Sequence, residues 1–248
     1  MSSELGPPWA SLRTTASHTI GIPHLVELLD VVPATASAED YRTAVVEHNA
    51  LGRPTGAGRA RTFRHLRELY LLDPTRPEFR ILRHLWTTAG PDRQLLAGLL
   101  AYTRDEVLRS TWPAIAAAAP GNRVSSDDLS TASRESFGDR IGEATIAKIG
   151  RNTGASWTQS GHLQGRANKV RLPLAPGPSA IAYATYLAYS ADHRGADLLD
   201  TPWLAVLDIP AARKRDALLS AHAAGLLTVR TSGNVIDVDL TPILAAAE

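Results

Sequence analysis

The chain contains no cysteine. A disulfide scaffold, a thiolate zinc site and a cysteine nucleophile are therefore excluded, and the absence agrees with a reducing, cytoplasmic setting. Lysine is nearly absent as well. Of 26 basic residues only Lys148, Lys169 and Lys214 are lysines, and the other 23 are arginines. A GC-rich genome accounts for that bias, yet it has a physical consequence, because arginine is the better ligand for phosphates and base edges. Net charge is small, at +1. A nucleic-acid partner must then be argued from where charges cluster, not from their sum. No apolar run approaches the about 18 residues of a membrane span, so no membrane partner is expected. Residues 1–9 lack the basic-then-apolar pattern of a secretory leader.

What is present is an ordinary apolar fraction, 44 % of 248 residues, with 21 % charged. That is enough to bury a core and excludes disorder over most of the length. The pattern is mainly helical. The segment to Thr19, with Gly6, Pro7 and Pro8, reads as a loosely held arm. Helices are expected at Pro23–Leu29, at Ala38–Leu51 behind an Ser37 cap, and from about Gly58 to Leu72, stopping before Pro74. A break at Gly52-Arg53-Pro54-Thr55-Gly56-Ala57-Gly58 separates the last two. Further helices are expected at Pro77–Thr87, Pro91–Tyr102, Arg104–Ala119, after Ser125 or Ser126, and at Gly138–Asn152. Gly154–Pro178 has no clean period, with a short strand at Val170–Leu174 and a linker at Pro176-Gly177-Pro178. The tail is the most readable part. Helices at Ser179–Tyr189, Pro202–Leu207 and Pro210–Ala224 lead through Gly225 to two β-rich runs around Thr231-Ser232-Gly233-Asn234. This order is a winged-helix layout. The expected organisation is a helix-turn-helix module at 1–75, a helical middle at 76–175 and a winged-helix-like module with a small β-hairpin at 176–248.

Chemistry-bearing constellations are few. Steps of 100° along the helix after Gly58 put Phe63, Leu66, Leu69 and Tyr70 on one side and Arg61, Arg64, His65 and Glu68 on the other. Arg53 and Arg59 stand at or before its N-terminus. Two shorter helices precede it, as in a helix-turn-helix whose third helix offers arginines to phosphates or guanine edges. A merely solvated basic face gives the same pattern. The tail offers Arg213, Lys214 and Arg215 on a helix and Arg230 on the hairpin, though many winged helices bind protein instead. Between them, Gly150–Leu172 holds Arg151, His162, Arg166, Lys169 and Arg171 with no Asp or Glu, which reads as an anion-facing surface. Trp157 and Trp203 lie near basic residues, and core packing is the reading preferred to base stacking.

Enzyme motifs are not found. Gly56-Ala57-Gly58 lacks the third glycine of a dinucleotide fingerprint, and Gly52–Gly58 lacks the Lys-Ser/Thr of a P-loop. The eight histidines have no metal-ligand spacing. Ser160-Gly161-His162 is a polar loop cluster without a nucleophile elbow. Asp127-Asp128 reads as a helix cap, and Asp192, Asp197 and Asp200 as a solvated loop. No catalytic residue, cofactor or metal is expected.

In layout the chain resembles the BrxA-type proteins of bacteriophage-exclusion (BREX) defence islands. The resemblance lies in an arginine-rich third helix (Arg59-Ala60-Arg61-Thr62-Phe63-Arg64-His65-Leu66), a helical middle with Ala144-Thr145-Ile146-Ala147-Lys148-Ile149, and a C-terminal module ending in Gly225-Leu226-Leu227. It covers about residues 20 to 240 and rests on fold-level patterns. It implies a small, non-enzymatic, double-stranded DNA-binding accessory component of a phage-defence system, with other components of a defence complex as partners. The competing expectation is a protein-interaction adaptor that scaffolds a larger complex through its winged-helix modules. The expected DNA contacts are Arg53, Arg59, Arg61, Arg64, His65, Arg151, Arg166, Lys169, Arg171, Arg213, Lys214, Arg215 and Arg230.

Overall fold

A computed structural model describes residues 10–233 and 235–247. It is mainly helical, with two small antiparallel sheets. The first three helices are α1 (Ile22–Val31), α2 (Ala38–Val46) and α3 (Gly56–Tyr70). They are followed by α4 (Pro77–Trp86), α5 (Arg93–Arg104), α6 (Glu106–Ser110) and α7 (Trp112–Ala117). Strand β1 (Arg123–Val124) precedes α8 (Ser126–Phe137) and α9 (Glu143–Gln159), then β2 (Leu163–Gln164) and β3 (Lys169–Arg171). The tail holds α10 (Pro178–Ser190), α11 (Pro202–Val206), α12 (Lys214–Ala223), β4 (Thr228–Ser232), β5 (Val235–Asp239) and α13 (Thr241–Ala246). β3 is the middle strand of the first sheet, between β1 and β2, and β4 pairs with β5 in the second.

One hydrophobic cluster runs from Ile20 to Ile243 and draws on every third of the chain. Its axis is α10, whose Ala180, Ala182, Tyr183, Ala184 and Leu187 are all buried. A helix apolar on every side must sit inside the protein, and its alanines let neighbouring helices approach. A smaller cluster of Val107, Phe137, Ile146 and Ile149 lies among α6, α8 and α9. The Pro176-Gly177-Pro178 segment, read as a linker, is pinned: buried Asp92 accepts from Gly177 N–H (2.8 Å) and Ala180 N–H (3.0 Å).

Several elements differ from the sequence-based expectation, each for a visible reason. The arm is not loose from Ala10 onward; residues 1–9 lie outside the described residues. Ala10 N–H donates to the Thr103 carbonyl (3.3 Å) and Leu12 N–H to the Arg104 carbonyl (3.1 Å), while Glu106 N–H returns to Leu12 (2.9 Å). Buried Asp105 then accepts from the Thr15 amide (2.9 Å) and hydroxyl (2.7 Å), and caps α6 through Leu108 N–H (2.8 Å). The single helix expected over Arg104–Ala119 is broken into α6 and α7, because Pro113 has no N–H to give and its ring clashes with the preceding turn. Helix α9 begins later than Gly138 and runs on to Gln159, through residues read as irregular. Its Thr153, Ser156 and Thr158 hydroxyls each return to the carbonyl four residues back, at 2.7–2.9 Å. The helix itself absorbs their polarity. α3 ends at Tyr70 because Leu71 and Leu72 have positive φ, 69° and 51°, and both are buried. The strand expected at Val170–Leu174 lies at Lys169–Arg171. The hairpin forms, but Thr231 and Ser232, expected in its turn, are paired in β4 with Ile236 and Val235; Asn234 lies outside the described residues.

Gly150 fixes the approach of α8 to α9. A Cβ there would stand 2.2 Å from the Ser126 carbonyl oxygen and 2.3 Å from Ser130 Oγ. Gly150→Ala is expected to destabilise the protein by about 1–3 kcal/mol through overpacking, despite alanine's better helix propensity. Denaturant titration checks this, and a neutral or stabilising result would contradict the packing.

Candidate nucleic-acid interface

Helix α3 is built as its periodicity demands. Thr55 caps it, its hydroxyl accepting from Gly58 N–H at 3.1 Å. Phe63, Leu66, Leu69 and Tyr70 are buried, and Arg61 and Arg64 are exposed. The Tyr70 hydroxyl donates to the Ile20 carbonyl at 2.8 Å, which ties the far end of α3 to the segment entering α1. That segment is held from its other side by α9. Ser156 Oγ accepts from Ile20 N–H and Gln159 Oε1 from Ile22 N–H, both at 3.1 Å.

Between this segment and α3 lies a cleft of about 420 Å³. Its walls carry His18, His24, His65, Arg53 and Arg61, with the hydroxyls of Thr19, Thr55 and Thr62 and no carboxylate. Gly21, at φ 68°, makes the turn that brings His18 and His24 to one cleft. The His18 and His65 rings lie 3.8 Å apart at 41°. Burial, then Arg61, hold His18 below the usual histidine range. Burial, then His18 itself, do the same to His65. Both effects favour the neutral form of the two rings.

Arg53 is placed by its loop. Asn49 Oδ1 accepts from its amide at 2.7 Å, and Gly52 turns the chain at φ 61°. The Arg53 guanidinium touches His24 Nε2. A guanidinium only donates, so Nε2 accepts and the His24 proton sits on Nδ1, 3.5 Å from Glu27 Oε2. Arg53 Nε is buried with no hydrogen-bond partner. Arg59 turns away to the Glu47 carbonyl, at 3.4 Å. Among the described residues, Arg61 and Arg64 have neither an ion-pair nor a hydrogen-bond partner.

The central basic run does not form the expected surface. Arg151 and Arg166 are exposed and unpaired among the described residues. Lys169 is half-buried and donates to Thr158 Oγ1 (3.1 Å) and the Gly165 carbonyl (3.2 Å). Burial lowers its pKa. Arg171 must be struck from the DNA contacts. It is 1 % exposed, bridges Asp208 at 2.8 Å, and donates to the carbonyls of Ile115, His162 and Leu172. His162 is buried too. Its Nε2 faces the Val206 carbonyl (2.8 Å), so Nε2 carries the proton and Nδ1 accepts from the Ser160 hydroxyl (2.9 Å). Both residues are 1 % exposed, which gives the hydroxyl no route to a substrate.

Three of the four C-terminal cations stand against aspartates. Arg213 meets Asp216 at 3.3 Å, Lys214 meets Asp200 at 3.6 Å, and Arg230 meets its cross-strand neighbour Asp237 at 3.7 Å. Arg215 donates to the Gly233 carbonyl at 3.1 Å. Trp157 and Trp203 are core residues, their indole N–H groups donating to Thr111 and Thr103 at 2.9 and 2.8 Å. Of the acidic residues weighed as ligands, Asp128 sits in the capping box of α8. Among the described residues no cluster of three or more His, Asp or Glu is arranged to hold a metal, and no helix is long and apolar enough to cross a membrane.

Sequence reasoning brought Arg53, Arg61 and His65 to one place, and the structure adds His18 and His24. No protein-family model matches the sequence, and no curated protein matches it significantly.

Proposed function

We propose that this protein binds double-stranded DNA non-catalytically, with α3 as the contacting helix of a helix-turn-helix formed with α1 and α2. The observation that carries the reading is a contrast. Arg61 and Arg64 project unpaired beside a cleft without carboxylates, while Arg213, Lys214 and Arg230 each stand against an aspartate. Unpaired arginines one turn apart on an exposed helix face suit phosphate oxygens and guanine edges. The order of α10 to α12 and the β4–β5 hairpin agrees with a winged-helix module. On this reading the chain is a BREX-type accessory component of a phage-defence complex.

A second reading, the protein-interaction adaptor, draws on the same C-terminal module. Arg213, Lys214 and Arg230 there are paired with aspartates, and it exposes Leu219 and Val235, at 39 % and 68 %. Such a surface fits a protein partner better than phosphate.

Fluorescence anisotropy with a labelled duplex tests the two. Affinity is expected to fall about tenfold when salt is doubled, as about four phosphate contacts require. Arg61→Ala/Arg64→Ala is expected to weaken binding about tenfold or more and to flatten the salt slope, while Arg213→Ala/Arg230→Ala leaves both nearly unchanged. Absence of binding at low salt would sink the DNA reading in favour of the adaptor.

A further inference from the structure

We infer that the cleft between α3 and the segment entering α1 is a discrete pocket for a phosphate dianion, either the terminal phosphate of a nucleic-acid strand or a free phosphate ester. The inference deepens the DNA reading and rests on it for the strand-end source alone.

Three observations point to it. The donors converge: Arg53, Arg61, His18 and His65 face one space of about 420 Å³ with hydroxyls and no carboxylate in its walls. Two donors are left over, since Arg53 Nε and His24 Nδ1 are buried without a hydrogen-bond partner, and a buried unmade hydrogen bond is costly unless a ligand completes it. The walls are fixed in advance. Tyr70 holds Ile20, Gln159 holds Ile22, and Asn49 holds the amide of Arg53. Preorganised donors lose little on binding an anion.

The tilted pair His18–His65 selects charge. Two neutral rings beside Arg61 and Arg64 resist protonation while the cleft holds no anion. A dianion seated against them offsets that repulsion, so each ring can take up a proton as the ligand enters. Among the described residues, the charged and titratable groups around the pair come from α3 and from across the cleft. Arg61, Arg64 and Glu68 lie on α3, with Glu68 one turn beyond His65 and 3.5 Å from the Thr14 hydroxyl. Arg53 and His24 lie across the cleft, and Glu27 is turned to His24 Nδ1. Ser156 and Gln159, which α9 sends to this wall, do not titrate. A chain-internal diester has one charge and two terminal oxygens. A terminal phosphate has two charges and three oxygens, and it matches the number of donors better.

The test is a titration of the full chain with inorganic phosphate, followed by the ring signals of His18 and His65 in NMR, with sulfate as the analogue that stays dianionic and sodium chloride at equal ionic strength as the control. Phosphate and sulfate are expected to move both signals toward the imidazolium position, and chloride is not. Sulfate affinity is expected to rise by up to about tenfold per pH unit toward acid for each proton taken up. Arg53→Gln is expected to weaken the response about tenfold. Arg61→Gln, at an exposed position, repeats the test without risk to folding. No shift, or an equal shift with chloride, overturns the pocket. A duplex with a 5′-phosphate that binds about tenfold tighter than its 5′-hydroxyl form assigns the strand end. Equal binding of the two, with the histidine shifts present, assigns a free phosphate ester. Salt-sensitive duplex binding without the shifts would refute the pocket and leave the DNA reading standing. The shifts without any duplex binding would do the reverse.

Discussion

Arg171→Ala is expected to cost the fold about 3–5 kcal/mol, the range for removing one partner of a buried ion pair. The side chain is 1 % exposed and serves four acceptors at once. It reaches the Ile115 carbonyl at the end of α7 (3.2 Å), the His162 carbonyl before β2 (3.3 Å), its own neighbour Leu172 (2.6 Å), and Asp208 after α11 (2.8 Å). Truncation leaves a cavity and removes three hydrogen bonds to carbonyls, of which those of Ile115 and His162 keep backbone donors, Ala118 N–H and Leu172 N–H. Asp208 is about a third exposed, so water can recover it, and most of the loss therefore comes from the void and the lost charge-assisted hydrogen bonds. Asp208→Asn keeps a residue that tolerates the φ of 60° found there but leaves the guanidinium uncompensated. It should also destabilise. Arg166→Ala, five residues away and exposed, should lie within about 0.5 kcal/mol of the parent. Denaturant midpoints of the three variants check the argument. An Arg171→Ala protein as stable as the parent but weak in DNA binding would return this residue to the interface.

That case shows what the sequence could not carry. The burial of α3's apolar face was legible because helical periodicity is local, whereas its Thr55 cap lay inside the segment read as a break and the helix starts at Gly56, ahead of Gly58. The unpaired state of Arg61 and Arg64 was not, because it depends on which carboxylates the fold brings near. Arg171 looks like its neighbours Arg166 and Lys169 until β3 becomes the middle strand of a sheet and Asp208 arrives from 37 positions on. The pairing in the tail was partly readable. Arg213, at the cap of α12, and Asp216, in its first turn, are an i,i+3 pair, and the hairpin register places Arg230 opposite Asp237. His18 and His24 were missed because no spacing rule links them to α3; the turn at Gly21 and the Tyr70–Ile20 hydrogen bond do. The second half of α9 was missed because Thr, Ser and Gly suggest a loop, whereas their hydroxyls are spent inside the helix.

Acid should destabilise this protein in a window set largely by His162. Burial pushes its pKa down from 6.5 to about 4, and the ring is locked neutral between the Ser160 hydroxyl and the Val206 carbonyl. In the unfolded chain the same ring titrates near 6.5. Between about pH 6.5 and pH 4 the unfolded state therefore holds a proton that the folded state refuses. Stability rises with pH wherever the unfolded state binds more protons, so this contribution is fully present above pH 6.5 and is lost as pH falls toward 4. A shift from 6.5 to about 4 corresponds to on the order of 3 kcal/mol. His18 and His65 are displaced in the same direction. Asp105 acts in the opposite sense, because burial raises its carboxyl and protonation relieves that burden. His162→Gln isolates the buried ring, since an amide can still donate to Val206 and accept from Ser160 without titrating. Denaturant titrations at about pH 7 and about pH 4.5 should show the parent losing roughly 2–3 kcal/mol more than the variant. Equal losses in the two proteins would mean that His162 takes up its proton in the folded state, and that the polar pair it forms with Ser160 opens to water.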